Sequence, residues 1–269
     1  MNRLDAALRR VREQDRLALF PYLTAGYPDD LSCEELLMAA VESGADGLEL
    51  GIPFSDPLAD GVTLQRASYR ALQRGATLGR ALDLAHRLSA RSDVPLVFMS
   101  YLNPLLAYGF ERFTREAAAA GVNGLIVPDV PVEEAEPFQT ACSAAGIHYI
   151  YMLAPTSTLA RIRAVAERAS GFVYCVALVG VTGARSTISG DLATFLGCVR
   201  QHVSLPLLVG FGVSRPEHVR TVREAGADAA VVASALVDQI DASPEGERIE
   251  TVRRFVGSLA EAARGRTRA

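Results

Sequence analysis

Short apolar runs alternate with longer amphipathic stretches from one end of the sequence to the other. The runs cover residues 17–23, 47–50, 95–100, 124–127, 148–153, 171–177, 206–210 and 229–233. Half-exposed antiparallel strands would alternate apolar with polar positions. These runs are nearly continuous, which predicts eight strands covered on both faces. The stretches between them carry helical spacing. Ser32-Cys33-Glu34-Glu35 reads as a capping box, and Leu37, Ala40, Val41 and Gly44 follow on one face. Ser214-Arg215-Pro216-Glu217 repeats the pattern ahead of Val219, Val222 and Ala225. Before the first run, Leu4, Ala7, Leu8 and Val11 predict an extra N-terminal helix.

One short pattern recurs. Gly44-Ala45-Asp46-Gly47-Leu48, Gly121-Val122-Asn123-Gly124-Leu125 and Gly226-Ala227-Asp228-Ala229-Ala230 each close a helix and open a strand. Glycine suits the left-handed position that ends a helix. Eight β-then-α units predict a single α/β domain over 1–269, a (β/α)8 TIM barrel with the extra N-terminal helix. An open doubly wound sheet is the alternative, but no Gly-x-Gly-x-x-Gly follows the first strand.

Composition narrows the chemistry. All 27 basic residues are arginine, and there is no lysine or tryptophan. A side-chain Schiff base is therefore excluded, and with it lysine-based aldol cleavage and an internal pyridoxal aldimine. A Gly-Lys-Ser/Thr phosphate loop is excluded as well. A net charge of -4 argues against a nucleic-acid surface. Cys33, Cys142, Cys175 and Cys198 lie far apart and read as small core residues of a reducing compartment. His86, His148, His202 and His218 have no ligand spacing, so no metal is expected. With neither a signal-peptide run nor a membrane-length apolar stretch, the expected location is the cytoplasm.

In such a barrel the active groups sit just after each strand. The second run leads into Leu48-Glu49-Leu50-Gly51-Ile52-Pro53-Phe54-Ser55-Asp56-Pro57-Leu58-Ala59-Asp60-Gly61. Alternation turns Leu48 and Leu50 towards the helices and Glu49 into the barrel. A carboxyl there is costly to ionise, which suits a proton shuttle; the plainer alternative is a glutamate satisfied by loop amides. Asp56 and Asp60 stand in a Pro/Gly-rich loop, where aspartate is also common as a turn or cap residue. Gly210-Phe211-Gly212 after the seventh run and Ala233-Ser234 after the eighth are placed to offer backbone amides to a phosphate. Residues 179–187 read either as a closing lid or as an ordinary surface loop.

These segments resemble the tryptophan synthase alpha subunit family over nearly the full length. The stretch 48–61 is the most specific match. Phe20-Pro21-Tyr22-Leu23-Thr24-Ala25-Gly26, Tyr101-Leu102-Asn103-Pro104, Pro128-Asp129-Val130-Pro131-Val132-Glu133-Glu134, Gly180-Val181-Thr182-Gly183 and Gly210-Phe211-Gly212 support it in order. The resemblance implies a lyase that splits indole-3-glycerol phosphate into indole and glyceraldehyde 3-phosphate, without Schiff base, metal or cofactor. It implies Glu49 as acid/base and Asp60 as the partner of the indole N–H. Tyr22, Tyr101, Tyr174 and Phe211 would line the substrate, and Thr182 would steady Asp60. Gly183, Gly212, Ala233 and Ser234 would hold the phosphate. Asp56, Pro57, Asp129 and Pro131 would face a beta subunit in an alpha2beta2 assembly, and the pyridoxal phosphate would belong to that partner. The sequence departs from the family pattern at Val62, at Ala233 and at 177–179. Three alternatives stay open: a stand-alone indole-releasing lyase, a weakly catalytic activator of the beta subunit, and another phosphate-sugar enzyme such as an isomerase of the same pathway.

Overall fold

The computed structural model describes residues 2–177, 185–210 and 212–264, with the backbone alone for 185–190. The strands are β1 (Ala18–Thr24), β2 (Leu48–Gly51), β3 (Leu96–Met99), β4 (Val122–Ile126), β5 (His148–Leu153), β6 (Val173–Val176), β7 (Leu207–Gly210) and β8 (Ala229–Val232). Each overlaps one of the apolar runs. They pair in parallel in chain order, and β8 pairs back on β1 with Phe20 opposite Val231. That closure makes a (β/α)8 barrel and excludes the open sheet.

Among the described residues the helices are α1 (Arg3–Glu13), α2 (Asp30–Glu42), α3 (Val62–Gln73), α4 (Leu78–Arg91), α5 (Leu102–Tyr108), α6 (Phe110–Ala119), α7 (Glu136–Ala144), α8 (Leu159–Arg168), α9 (Arg185–Arg200), α10 (Pro216–Glu224), α11 (Ser234–Ala242) and α12 (Arg248–Ala263). Both expected capping boxes are displaced. α2 begins before Ser32, because Asp29 is the extended residue whose carboxylate accepts the Ser32 N–H at 2.9 Å. α10 begins at Pro216, whose fixed φ suits a first helical position. The Ser214 amide and hydroxyl instead lie 3.3 Å from His218 Nδ1.

The recurring Gly-x-Asx pattern acquires a physical meaning. Gly44, Gly121 and Gly226 adopt φ of 102°, 89° and 94°, the left-handed turn expected. Two residues later a side chain reaches back to the neighbouring strand. Asp46 accepts from Leu19 N at 3.1 Å, Asn123 from Leu96 N at 3.0 Å, and Asp228 from Leu207 N at 2.8 Å. Each satisfies an amide at the start of a strand, where such a group would otherwise be buried unpaired. Arg16 forks Asp46 at 2.6 and 2.8 Å, and Arg200 meets Asp228 at 2.5 Å.

The predicted N-terminal helix closes the same end. Leu4, Ala7, Leu8 and Val11 of α1 are buried. Asn2 donates to the carbonyls of Asn123 and Gly146 at 3.0 and 3.1 Å, and Asp5 meets His148 at 3.1 Å. Three cysteines are core residues as expected; Cys198 is exposed on α9 and is the exception.

Candidate active site

The strands' C-terminal ends frame a cavity of about 170 Å³. Tyr22, Glu49, Asp60 and Tyr174 supply its polar groups, and Leu64, Met99, Ile126, Met152 and Val231 much of its apolar wall. Glu49 sits mid-strand in β2, opposite Tyr22 of β1 and Val97 of β3. It is 2% exposed between two leucines that are fully buried. Among the described residues no loop amide hydrogen-bonds its carboxyl. Burial, and then the negative charge of Asp60, push Glu49 up to about 8.

Asp60 stands at the end of the β2–α3 loop. It does not cap α3: Gly61 occupies that position with no side-chain bond. The loop is instead fixed through its backbone, Asp60 N to Pro57 O at 3.0 Å and Gln65 Nε2 to Asp60 O at 2.9 Å. The carboxyl is left to face the cavity. Burial raises it to about 6, and a hydrogen bond from the Tyr101 hydroxyl partly offsets that rise. Two carboxyls of the same cavity are thereby held apart, one protonated and one ionised at neutral pH.

The aromatic residues divide. Tyr22 and Tyr174 are cavity walls, and burial raises both phenols well above the usual tyrosine range. The Tyr22 hydroxyl lies 3.3 Å from Thr24 Oγ1. Tyr101, which the resemblance puts at the mouth, is buried beside the Asp60 loop. Its hydroxyl accepts from Ala59 N at 2.9 Å, and its ring meets Phe54 with centroids 5.5 Å apart. Two glycines whose packing role the sequence does not reveal make this geometry possible. A Cβ on Gly51 would overlap the Tyr22 hydroxyl, and one on Gly210 would overlap the Tyr174 ring. In both cases the glycine lies two residues beyond the tyrosine's register partner on the next strand. That diagonal of aromatic and glycine was the available signal. Gly210 had been grouped with the phosphate motif, whereas its space is taken by Tyr174.

Gly212 (φ 64°), Ala233 and Ser234 border the same cavity. Ala233 is the residue before α11 and spends no side-chain bond there, so the amides of the helix start are open to an anion. Thr182, Gly183, Phe211 and the departures at 178–179 lie outside the described residues. On the outer face Asp56, Asp129 and Pro131 are exposed, while Pro57 is buried and Leu58, 90% exposed, takes the outward position.

A closed barrel that carries a split carboxyl pair at its mouth, beside a helix start after β8, defines a (β/α)8 enzyme of phosphorylated small molecules. Comparison with known proteins narrows this. The family model described as tryptophan synthase alpha chain matches residues 8–264. The tryptophan synthase alpha chain of Roseiflexus sp. (strain RS-1) is 49% identical over 262 residues, covering 96% of this chain and 99% of that one. The solved alpha subunit from Legionella pneumophila str. Paris superposes with a TM-score of 0.90 at 33% identity, covering 98% of both chains. A chain of the tryptophan synthase complex from Pyrococcus furiosus gives 0.83 at 37% identity, over 91% of this chain and 98% of that one. The chain belongs to the tryptophan synthase alpha chain family. It is a lyase of tryptophan biosynthesis that cleaves indole-3-glycerol phosphate to indole and glyceraldehyde 3-phosphate. It needs no cofactor of its own and works with a beta subunit that carries pyridoxal phosphate.

Proposed function

We propose that Glu49 and Asp60 divide the cleavage between them, and that one observation carries this reading: the two carboxyls share a cavity yet are pushed to about 8 and about 6. At neutral pH Glu49 holds a proton to give and Asp60 holds a negative charge. Glu49 protonates C3 of the indole ring. Asp60 accepts the indole N–H and stabilises the positive charge that builds on that nitrogen. Glu49, now a carboxylate, removes the proton of the glycerol hydroxyl next to the ring. The C–C bond breaks, its electron pair restores the indole, and the hydroxyl carbon becomes the aldehyde. The ring itself is the electron sink, so no amine is required, in keeping with a chain that has no lysine.

Tyr22 and Tyr174 flank the ring, and Met99 and Met152 supply adaptable apolar wall. Gly212, Ala233 and Ser234, with Gly183, take the phosphate. Phe211 and Thr182 complete the site as contact and as support for Asp60. Asp56, Pro57, Asp129 and Pro131 face the beta subunit in an alpha2beta2 assembly. We take 1–269 as one barrel domain working in the cytoplasm.

The test is indole release from indole-3-glycerol phosphate by the purified chain, alone and with a beta subunit, against Glu49→Gln and Asp60→Asn. Wild-type turnover with both variants depressed is expected. Normal turnover by Glu49→Gln would refute the assignment.

A further inference from the structure

Asp129 lies on the exposed loop after β4, yet both of its carboxylate oxygens accept from Leu102 N, 27 residues earlier in the chain, at 3.1 and 3.2 Å. Leu102 is the first residue of α5, and the residue before it, Tyr101, is the N-cap position and makes no side-chain cap of its own. A helix start of this kind leaves amides without partners and favours a negative charge. Asp129 supplies both from a neighbouring unit of the barrel. Fixing Leu102 N fixes the backbone that carries Tyr101. The Tyr101 hydroxyl in turn accepts from Ala59 N at 2.9 Å, the amide next to Asp60, and it helps hold the Asp60 carboxyl's pKa down.

We infer that Asp129 is a positioning residue for Asp60, acting through Leu102 N and the Tyr101 hydroxyl. This rests on the role proposed for Asp60 and extends it to a residue outside the cavity. The carboxylate of Asp129 sets the start of α5, α5 sets Tyr101, and Tyr101 sets where the loop residues Ala59 and Asp60 stand.

Two effects of removing Asp129 have opposite signs, which makes the inference testable. Among the described residues the groups near Asp60 are Glu49 from β2, Tyr22 from β1, Tyr174 from β6 and Tyr101 after β3; those near Asp129 are Tyr101, Tyr149 of β5 and Arg161 of α8. If Asp129 acted only as a nearby negative charge, its removal would ease ionisation of Asp60 and lower its pKa. If it positions Tyr101, its removal moves the Tyr101 hydroxyl away from Asp60; that hydroxyl holds the Asp60 pKa down, so the pKa rises.

The experiment measures the acid limb of kcat/KM for indole-3-glycerol phosphate with Asp129→Ala, Asp129→Asn and Tyr101→Phe in the full chain without the partner. The ¹³C resonance of the Asp60 carboxyl is titrated in parallel. Asp129→Ala is expected to move the limb and the resonance midpoint above about 6 and to lower kcat about tenfold, the value of one such hydrogen bond. Asp129→Asn keeps an acceptor for Leu102 N and restores most of the rate. Tyr101→Phe reproduces the upward shift, and adding Asp129→Ala to it changes nothing further. A downward shift in Asp129→Ala, or effects of the two substitutions that simply multiply, would overturn the inference. So would a Tyr101→Phe chain whose midpoint stays in place, and that variant leaves the α5 backbone untouched should Asp129→Ala fail to fold. The resonance is read without turnover, so a chain that cleaves nothing would refute the proposed reaction while still testing the Asp129 route.

Discussion

The two ends of this barrel use the same residue type in opposite ways. At the end where strands begin, Asp46 is buried with a side-chain exposure of 6%, and every demand it makes is met. The Arg16 guanidinium forks it and Leu19 N fills the remaining site. Asp228 repeats the arrangement with Arg200 and Leu207 N. At the end where strands finish, Glu49 is equally buried and, among the described residues, is paired with no cation; the charge that acts on it is another carboxylate, Asp60. A buried charge that keeps its partner avoids the cost of standing unpaired, and withholding the pair raises a pKa into the range where a carboxyl can give up and retake a proton. One end holds the barrel together, and the other keeps a group poised for reaction at a cost in stability.

Exchanging these conditions gives predictions of decreasing size. Glu49→Gln should lower kcat by about 10²–10⁴, the usual contribution of a general acid/base, in an assay of indole release. The same substitution should alter how stability depends on pH. The folded Glu49 keeps its proton up to about 8, whereas an unfolded carboxyl releases it near 4.5. Folding therefore takes up a proton between these values. Wild-type stability is highest below that window and falls as pH rises through it, levelling above about 8. Glu49→Gln should lack that slope, which chemical denaturation at a series of pH values will read.

Asp46→Ala removes one partner of a buried pair and leaves Arg16 and Leu19 N unmet. A loss of about 3 kcal/mol in denaturant unfolding is expected, with the turnover of the folded chain unchanged at low temperature. Gly51→Ala places a methyl where the Tyr22 hydroxyl lies. It should cost about 1–3 kcal/mol through overpacking and lower kcat/KM as Tyr22 shifts, so it couples both ends of the comparison in one variant. Val62→Pro is the smallest. Val62 is 79% exposed at the first position of α3, and Gly61 before it is extended at φ -72°, ψ 164°. Proline fits there, and a gain of about 0.4–1 kcal/mol in melting experiments follows from a less flexible unfolded chain.

The sequence made the two ends legible to different depths. The eight strands could be read because both faces are covered, and continuous apolar runs survive without alignment. The Gly-x-Asx repeat was visible as a helix stop, but its second role was not. Nothing in Asp46 or Asp228 announces that the side chain satisfies the amide of the neighbouring strand, since that contact spans 27 and 21 residues. At the mouth, Glu49 declared itself as a lone charge inside an apolar strand. Asp60 was ambiguous with a cap until Gly61 proved to hold that position. The offset of the capping boxes has a local cause: Asp29 and Pro216 outcompete serine for the helix start. Strand order puts Tyr101 at the mouth end of the barrel, but the bond from Ala59 N to its hydroxyl spans 42 residues and has no local signal. Gly51 and Gly210 went unread for a related reason: they act by what they leave empty.

The central claim is that Glu49 is a neutral acid beside an ionised Asp60 when the chain is at rest. Infrared difference spectra of the protonated carboxyl C=O stretch, wild type minus Glu49→Gln, across pH 5 to 10 test it most directly. The account predicts a buried carboxylic acid band that is present at pH 7, vanishes with a midpoint near 8 and is missing from the variant. A difference spectrum with no such band at pH 7 would show Glu49 already ionised and would contradict it.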